Sequence, residues 1–147
     1  MDALKVLRED HQKLKELFSE AEEAKEGKRC KQLFIDFETK WEKHTYIEET
    51  FLYAELKKQE GLKNFVDESL AEHRELKTLL QEMEDVGFDG DEFDCNFMML
   101  FESVRCHLEE EEAEMFPKVK ELLDAAVFEE LGKKLEAAKI REQCKAC

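Results

Sequence analysis

HLEEEEAEMFP, His107 to Pro117, has an echo earlier in the chain in HTYIEETFLY, His44 to Tyr53. Each places a histidine four residues before a glutamate, with a second glutamate directly after the first. On an α-helix, positions i and i+4 lie on one face, about 6 Å apart along the axis. An imidazole and a carboxylate would then point into the same space from consecutive turns. Two such pairs on two helices of one bundle can hold a pair of metal ions, provided that they face inward.

The pattern around them says that they do. Leu4, Leu7, Leu14, Phe18 and Ala21 follow a 3–4 spacing with one gap, which His11 fills, over a helix from Leu4 to about Lys25 closed by Gly27. The second helix, about Lys28 to Lys58, has a seam of Cys30, Phe34, Phe37, Trp41, His44, Glu48 and Phe51, and Gly61 breaks it. A third, about Asn64 to Asp85, carries Val66, Ser69, His73, Leu76, Leu80 and Met83 on one stripe. The loop Val86–Asp91 comes next, with Asp89 or Asp91 as N-cap. The fourth helix, about Asp91 to Met115, runs Phe97, Leu100, Val104, His107, Glu111, Met115, and Pro117 is expected to kink or end it. Asp124 caps a short fifth helix ending near Lys139, and the residues after Ile140 are expected to fray.

His11 to His44 is 33 residues and His73 to His107 is 34, so the chain repeats a helical hairpin. Each hairpin has one histidine on its first helix and His-x-x-x-Glu on its second. The expected fold is all-α, an up-down-up-down four-helix bundle with a short C-terminal fifth helix. Residues 1–139 form the bundle domain and 140–147 a flexible tail.

Composition agrees with long helices. The 147 residues are 41% charged, with one proline and five glycines. A formal charge of −15 argues against nucleic acid and against an anionic membrane surface. No apolar run approaches the ~20 residues of a spanning helix. Five cysteines, Cys30, Cys95, Cys106, Cys144 and Cys147, lack the spacing of a disulfide framework, which suits a reducing, cytoplasmic setting.

A single histidine on an apolar stripe is usually a satisfied core residue. Four on four seams, when about two positions in seven belong to a seam, are harder to explain that way. Glu48 and Glu111 share those seams. An ionised carboxylate buried without a partner costs several kcal/mol, and no lysine or arginine stands on their stripe at adjacent turns. Cations in the core satisfy all six. Six donors without a thiolate exceed the closed tetrahedron of structural zinc, and mixed nitrogen and oxygen donors suit iron or manganese. The ferritin-like arrangement is excluded, since no histidine here has a glutamate three residues before it. Glu109, Glu110, Glu112 and Glu114 read as a solvated face. Tyr46 and Tyr53 fit a place near the site or on the surface equally.

These residues resemble the haemerythrin-like (HHE cation-binding) proteins over nearly the whole chain. The resemblance is carried by Asp10-His11, HTYIEE, Glu72-His73, HLEEEEAEMFP and LGKKLEAAK at Leu131–Lys139. It implies two Fe ions in a non-haem di-iron centre with carboxylate and oxo or hydroxo bridges. His11 and His44 would serve one iron, His73 and His107 the other, with Glu48 and Glu111 bridging. The oxygen-carrying members have a further histidine four residues after the match to His73, where this chain has Lys77. They also have an aspartate five residues after the last histidine, where this chain has Glu111 at four. The resemblance therefore implies a centre that binds or reacts with O2, peroxide or NO rather than a simple carrier. The alternative is an iron- or oxygen-sensing or metal-stabilised interaction module, which leaves room for a protein partner.

Overall fold

A computed structural model describes residues 2–23, 27–87 and 91–145, with the side chains of 27–30, 91, 92, 94, 95 and 142–145 outside the description. Helix α1 is Ala3–Glu23. Asp2 opens it, its carboxylate accepting the Leu4 N–H at 2.9 Å. The stripe from Leu4 through His11 to Ala21 is buried along its length. Gly27, expected to close this helix, instead begins the next.

Helix α2 runs Gly27–Ile47, passes through a π-helical stretch at Glu48–Tyr53, and ends with Ala54–Leu56. After a 3₁₀ turn at Glu60–Leu62 comes α3, Lys63–Val86. It closes on Gly87, whose φ of +92° would strain any residue with a Cβ. Asp89 lies outside the described residues. Helix α4 runs Asp91–Glu110, has its own π-helical stretch at Glu111–Met115, and continues as Phe116–Leu122. Pro117 therefore neither ends nor interrupts it. The proline sits within the first two residues of the segment after the π stretch, where a missing N–H is least costly. Asp124 caps α5 as expected, its side chain accepting from Ala126 N–H at 3.4 Å and its carbonyl from Phe128 N–H at 2.9 Å. That helix, Ala125–Lys145, is longer than the sequence suggested and passes Lys139 without a break.

The architecture is an all-α bundle, with α1 packed on α2, α3 on α4, and α5 laid against α1 and α2. Among the described residues there is no strand, and no helix is long and apolar enough to cross a membrane. The core has two apolar parts. One, at the α5 end, gathers Leu4, Leu7, Ile47, Leu52, Val66, Phe116 and Leu135. The other gathers Leu14, Phe18, Phe37, Trp41, Leu80 and Val104. His11, His44 and His73 fall between the two in sequence on α1, α2 and α3, and His107 lies at the boundary on α4, between Val104 of the second part and Met115 of the first. They form a polar layer sandwiched by hydrophobic ones.

Both π stretches begin on the seam glutamate. The i→i+5 bonding of a π turn accommodates one extra residue and rotates the residues beyond it by about 100°. Of the expected seam residues, the Cys30 side chain lies outside the description and Phe97 on α4 is half-buried, whereas the π rotation explains a further departure. Phe51 is only half-buried, and Leu52 and Tyr53 point inward instead.

Candidate metal centre

The polar layer brings together all six residues that the sequence singled out. His11, His44, Glu48, His73, His107 and Glu111 are each at most 5% exposed. His11, His44 and Glu48 offer ligand atoms within 4.8 Å of one another, and so do Glu48, His73 and His107. Glu48 thus belongs to both groups, its Oε1 lying 3.0 Å from His44 Nε2 and 3.5 Å from His73 Nε2. Glu111 also spans them. Its Oε1 is 3.5 Å from His11 Nε2 and its Oε2 is 3.4 Å from His107 Nε2. The rings of His11 and His44 stand 4.9 Å apart, those of His73 and His107 4.8 Å. The hairpin repeat read from the sequence is therefore a repeat in space.

The second ring nitrogens carry a pattern that sequence reasoning missed. Asp10 on α1 faces His44 Nδ1 at 3.3 Å. Glu49 on α2 faces His73 Nδ1 at 3.6 Å. Glu72 on α3 pairs closely with His107 Nδ1, and Glu112 on α4 with His11 Nδ1 at 3.0 Å. Each helix supplies a carboxylate to the histidine of the next, and α4 closes the ring on α1. Carboxylates in that position fix ring orientation and tautomer and leave the other nitrogen free to ligate. Glu112 corrects the expectation of a solvated face, whereas Glu109, Glu110 and Glu114 are exposed as expected. A stripe drawn on one helix shows what faces the core, and Glu112 faces a neighbouring helix at the stripe's edge.

Trp41 walls one side, its ring 5.6–6.0 Å from those of His44, His73 and His107. Phe116 stacks on His11 at 6.0 Å. Tyr53 is buried, and its hydroxyl donates to Glu111 Oε2 at 2.9 Å, whereas Tyr46 is on the surface. Burial first, and then the charges of Glu111 and Glu48, push the Tyr53 hydroxyl well above its usual range, so it stays a donor.

Without a cation the layer shares protons. Burial disfavours charge on His44, but the Glu48 carboxylate and the Asp10 contact outweigh it and raise the ring to about 10. His11 and His107 are also raised, burial again being overcome by their carboxylate partners. Burial and the charge of Glu48 raise Glu111, whereas burial of Glu48 is outweighed by His44, Glu111 and His73, which hold it well below the carboxylate range. Within that pair Glu48 is shifted towards its ionised form and Glu111 towards its neutral one. Even so, His11 Nε2, His44 Nε2, both Glu48 oxygens and Glu111 Oε1 are buried without a hydrogen bond, and so is His73 Nδ1 on the side facing Glu49. Each such group costs ~1–3 kcal/mol. All of them except His73 Nδ1 point at one another, and those inward atoms are the ones that a cation would use. The donor set therefore fits metal.

Comparison with known proteins agrees. A crystal structure of a hemerythrin HHE cation-binding domain-containing protein from Mycobacterium kansasii superposes with a TM-score of 0.85. It is 26% identical, over 99% of this chain and 90% of that one. A protein from Nostoc sp. named DNA nickase is 25% identical over 143 residues, which is 97% of this chain but only 40% of that protein's length. Residues 2–119 match the family described as Hemerythrin HHE cation binding domain, and the chain belongs to that family.

Proposed function

We propose that the chain binds two irons in its polar layer and uses them to bind or transform O2, peroxide or NO. His11, His44 and Glu48 would hold one ion, and Glu48, His73 and His107 the other, with Glu111 spanning both. The observation that carries this reading is the shared Glu48 between two buried histidine pairs, with a carboxylate facing the second nitrogen of every ring. Bound iron would supply electrons and a Lewis acid. The chain does the rest. Trp41 and Phe116 exclude bulk water, the four outer carboxylates orient the rings, and Tyr53 holds a proton at Glu111 Oε2.

Lys77 favours a reactive centre over a saturated one. Its position, one turn after His73, provides no neutral nitrogen, and its side chain is exposed along a cavity that His73 also lines. An ammonium near cations is repelled. A coordination position is thereby left for an exogenous ligand, the logic that separates reactive metal sites from structural ones. The exposed free Cys106 fits a reducing, cytoplasmic setting. The −15 charge opposes a phosphate backbone, so the name of the Nostoc relative is not carried over.

A second reading has one observation in its favour. The Nostoc relative contains the matching stretch within a much longer protein, and a domain built into a larger chain is what a sensing or interaction module would be. The test is common to both readings. Anaerobic reconstitution with ferrous iron should give two irons per chain, and mixing with O2, peroxide or NO should change the visible spectrum. One tightly held zinc with no second ion would sink the di-iron reading. Two irons that react with none of the three ligands would leave an iron-sensing or metal-stabilised interaction module as the better conclusion.

A further inference from the structure

The groove between α2 and α3 has an acidic outer end that the polar layer does not use. Its cavity of about 540 Å³ carries four carboxylates, Glu38, Glu42, Glu49 and Glu84, against Arg74 and Lys77. Glu38, Glu42, Thr45 and Glu49 follow one another along α2 at intervals of three or four residues, so they share a face. Glu84, Gln81, Lys77 and His73 do the same along α3 in the opposite direction. Glu38 accordingly meets Glu84 at one end of the groove, and Glu49 faces His73 Nδ1 at 3.6 Å at the other. Eleven residues of helix separate the two ends by about 16 Å, so the outer pair stands well clear of the layer.

That outer pair is two carboxyl groups from different helices in hydrogen-bonding contact. Partial burial, then the hydrogen bond with Glu84, then the charges of Glu84 and Glu42 push Glu38 up to about 7. Two carboxyls so placed hold either a shared proton or a cation between their oxygens. Their neighbours are oxygen donors too, with Glu42 one turn from Glu38 and the Gln81 amide one turn from Glu84. The inner end gives an independent sign of a ligand. His73 is only 5% exposed, its ring lines the groove, and its Nδ1 is buried without a hydrogen bond. A nitrogen in that state is left to be satisfied from the groove, by water or by the water shell of an ion.

We propose that Glu38 and Glu84 form a third cation site, outside the polar layer, which holds a hydrated divalent cation in the α2–α3 groove. Oxygen donors, two carboxylates and retained water are the manner in which hard divalent ions bind at a protein surface. The cavity has the room. Six waters at ~30 Å³ each need about 180 Å³. The excess of carboxylates over Arg74 and Lys77 draws cations towards the pair and turns anions away. None of its donors is among the six residues of the layer, so the site stands whether or not the layer holds two irons.

Manganese(II) titration of the full chain, followed by electron paramagnetic resonance, tests this, because the signal of the free ion falls as it binds. The polar layer is filled beforehand with zinc(II), which holds nitrogen and oxygen donors more tightly than manganese(II) does. Excess zinc is removed and the remainder counted by elemental analysis. One manganese(II) per chain is expected. Glu38→Gln and Glu84→Gln keep the shape and remove the charge, and each should weaken binding by about tenfold or more. The double variant should abolish it. Glu109→Gln removes an exposed carboxylate of α4 outside the groove and should change nothing. Melting curves of the zinc-loaded variants separate lost binding from lost fold, and because Glu84 is exposed its variant decides if Glu38→Gln fails to fold. A zinc-loaded chain that takes up no manganese would overturn the inference. So would binding weakened as much by Glu109→Gln as by Glu84→Gln, the mark of loose counter-ions around a chain of charge −15. Fewer than two zincs per chain would count against the two-metal reading, while manganese binding lost in Glu84→Gln would still uphold the outer site.

Discussion

Glu111→Gln should separate the stability of the bundle from the stability of its metal layer. In the metal-free protein burial and the neighbouring Glu48 charge shift Glu111 towards its neutral form. Glutamine has the same shape and is neutral, and its amide can donate towards Glu48. The metal-free melting temperature should therefore move by no more than about 2–4 °C, the equivalent of roughly 1 kcal/mol in a domain of this size. Metal is another matter. A ligand at a hundred times its Kd adds about 2.7 kcal/mol to the native state, so two ions add about 5 kcal/mol and about 10–20 °C. Glutamine removes the negative charge that reaches both His11 and His107. The metal-dependent rise should fall to half or less. Calorimetric scans of parent and variant, each with metal and with excess chelator, give all four numbers. Superimposable parent curves would refute a buried metal site, and an undiminished rise in Glu111→Gln would refute the spanning role of Glu111.

The same geometry sets three more outcomes. The metal-free protein should lose stability as pH rises from about 6.5 towards about 10, because folded His44 keeps a proton that unfolded His44 has released. Metal-loaded protein, with neutral imidazoles as ligands, should be flat over that window, so melting curves at several pH values should diverge upward. Glu112→Ala should keep two ions at saturating metal but bind them ~10–100-fold more weakly, read by competition with a chelator, since Glu112 orients His11 without being a ligand. Lys77→His should add a nitrogen donor beside His73 and slow oxidation of the reduced protein by O2 in stopped-flow absorbance. If the parent already binds O2 reversibly, the missing histidine is irrelevant.

The bundle was legible because its signal is redundant. Four amphipathic stripes and the 33- and 34-residue histidine spacings point to one answer. The six inward residues were legible because polar groups on an apolar stripe stand out. The outer carboxylates were not, since Asp10, Glu49, Glu72 and Glu112 belong to a sequence rich in acids. Only the packing of one helix on the next distinguishes them from a solvated face. Tyr53 was hidden for a different reason. An α-helical wheel turns it away from the core, and the π stretch starting at Glu48 brings it back. Chain continuity through Pro117 has the same root, a π stretch directly upstream.

The ring of outer carboxylates has a consequence for how the two halves of the chain depend on each other. Asp10 with His44 and Glu72 with His107 lie within a hairpin, but Glu49 with His73 and Glu112 with His11 cross between hairpins. Either hairpin alone is left with one histidine whose orienting acid belongs to the missing half, and with one acid that has nothing to orient. Two copies of one hairpin, related by a twofold axis, would close the same ring. A metal layer of this kind is compatible with an ancestral dimer of a half-length peptide, fused end to end. Separately expressed halves of the present chain should recognise each other through those two crossing pairs.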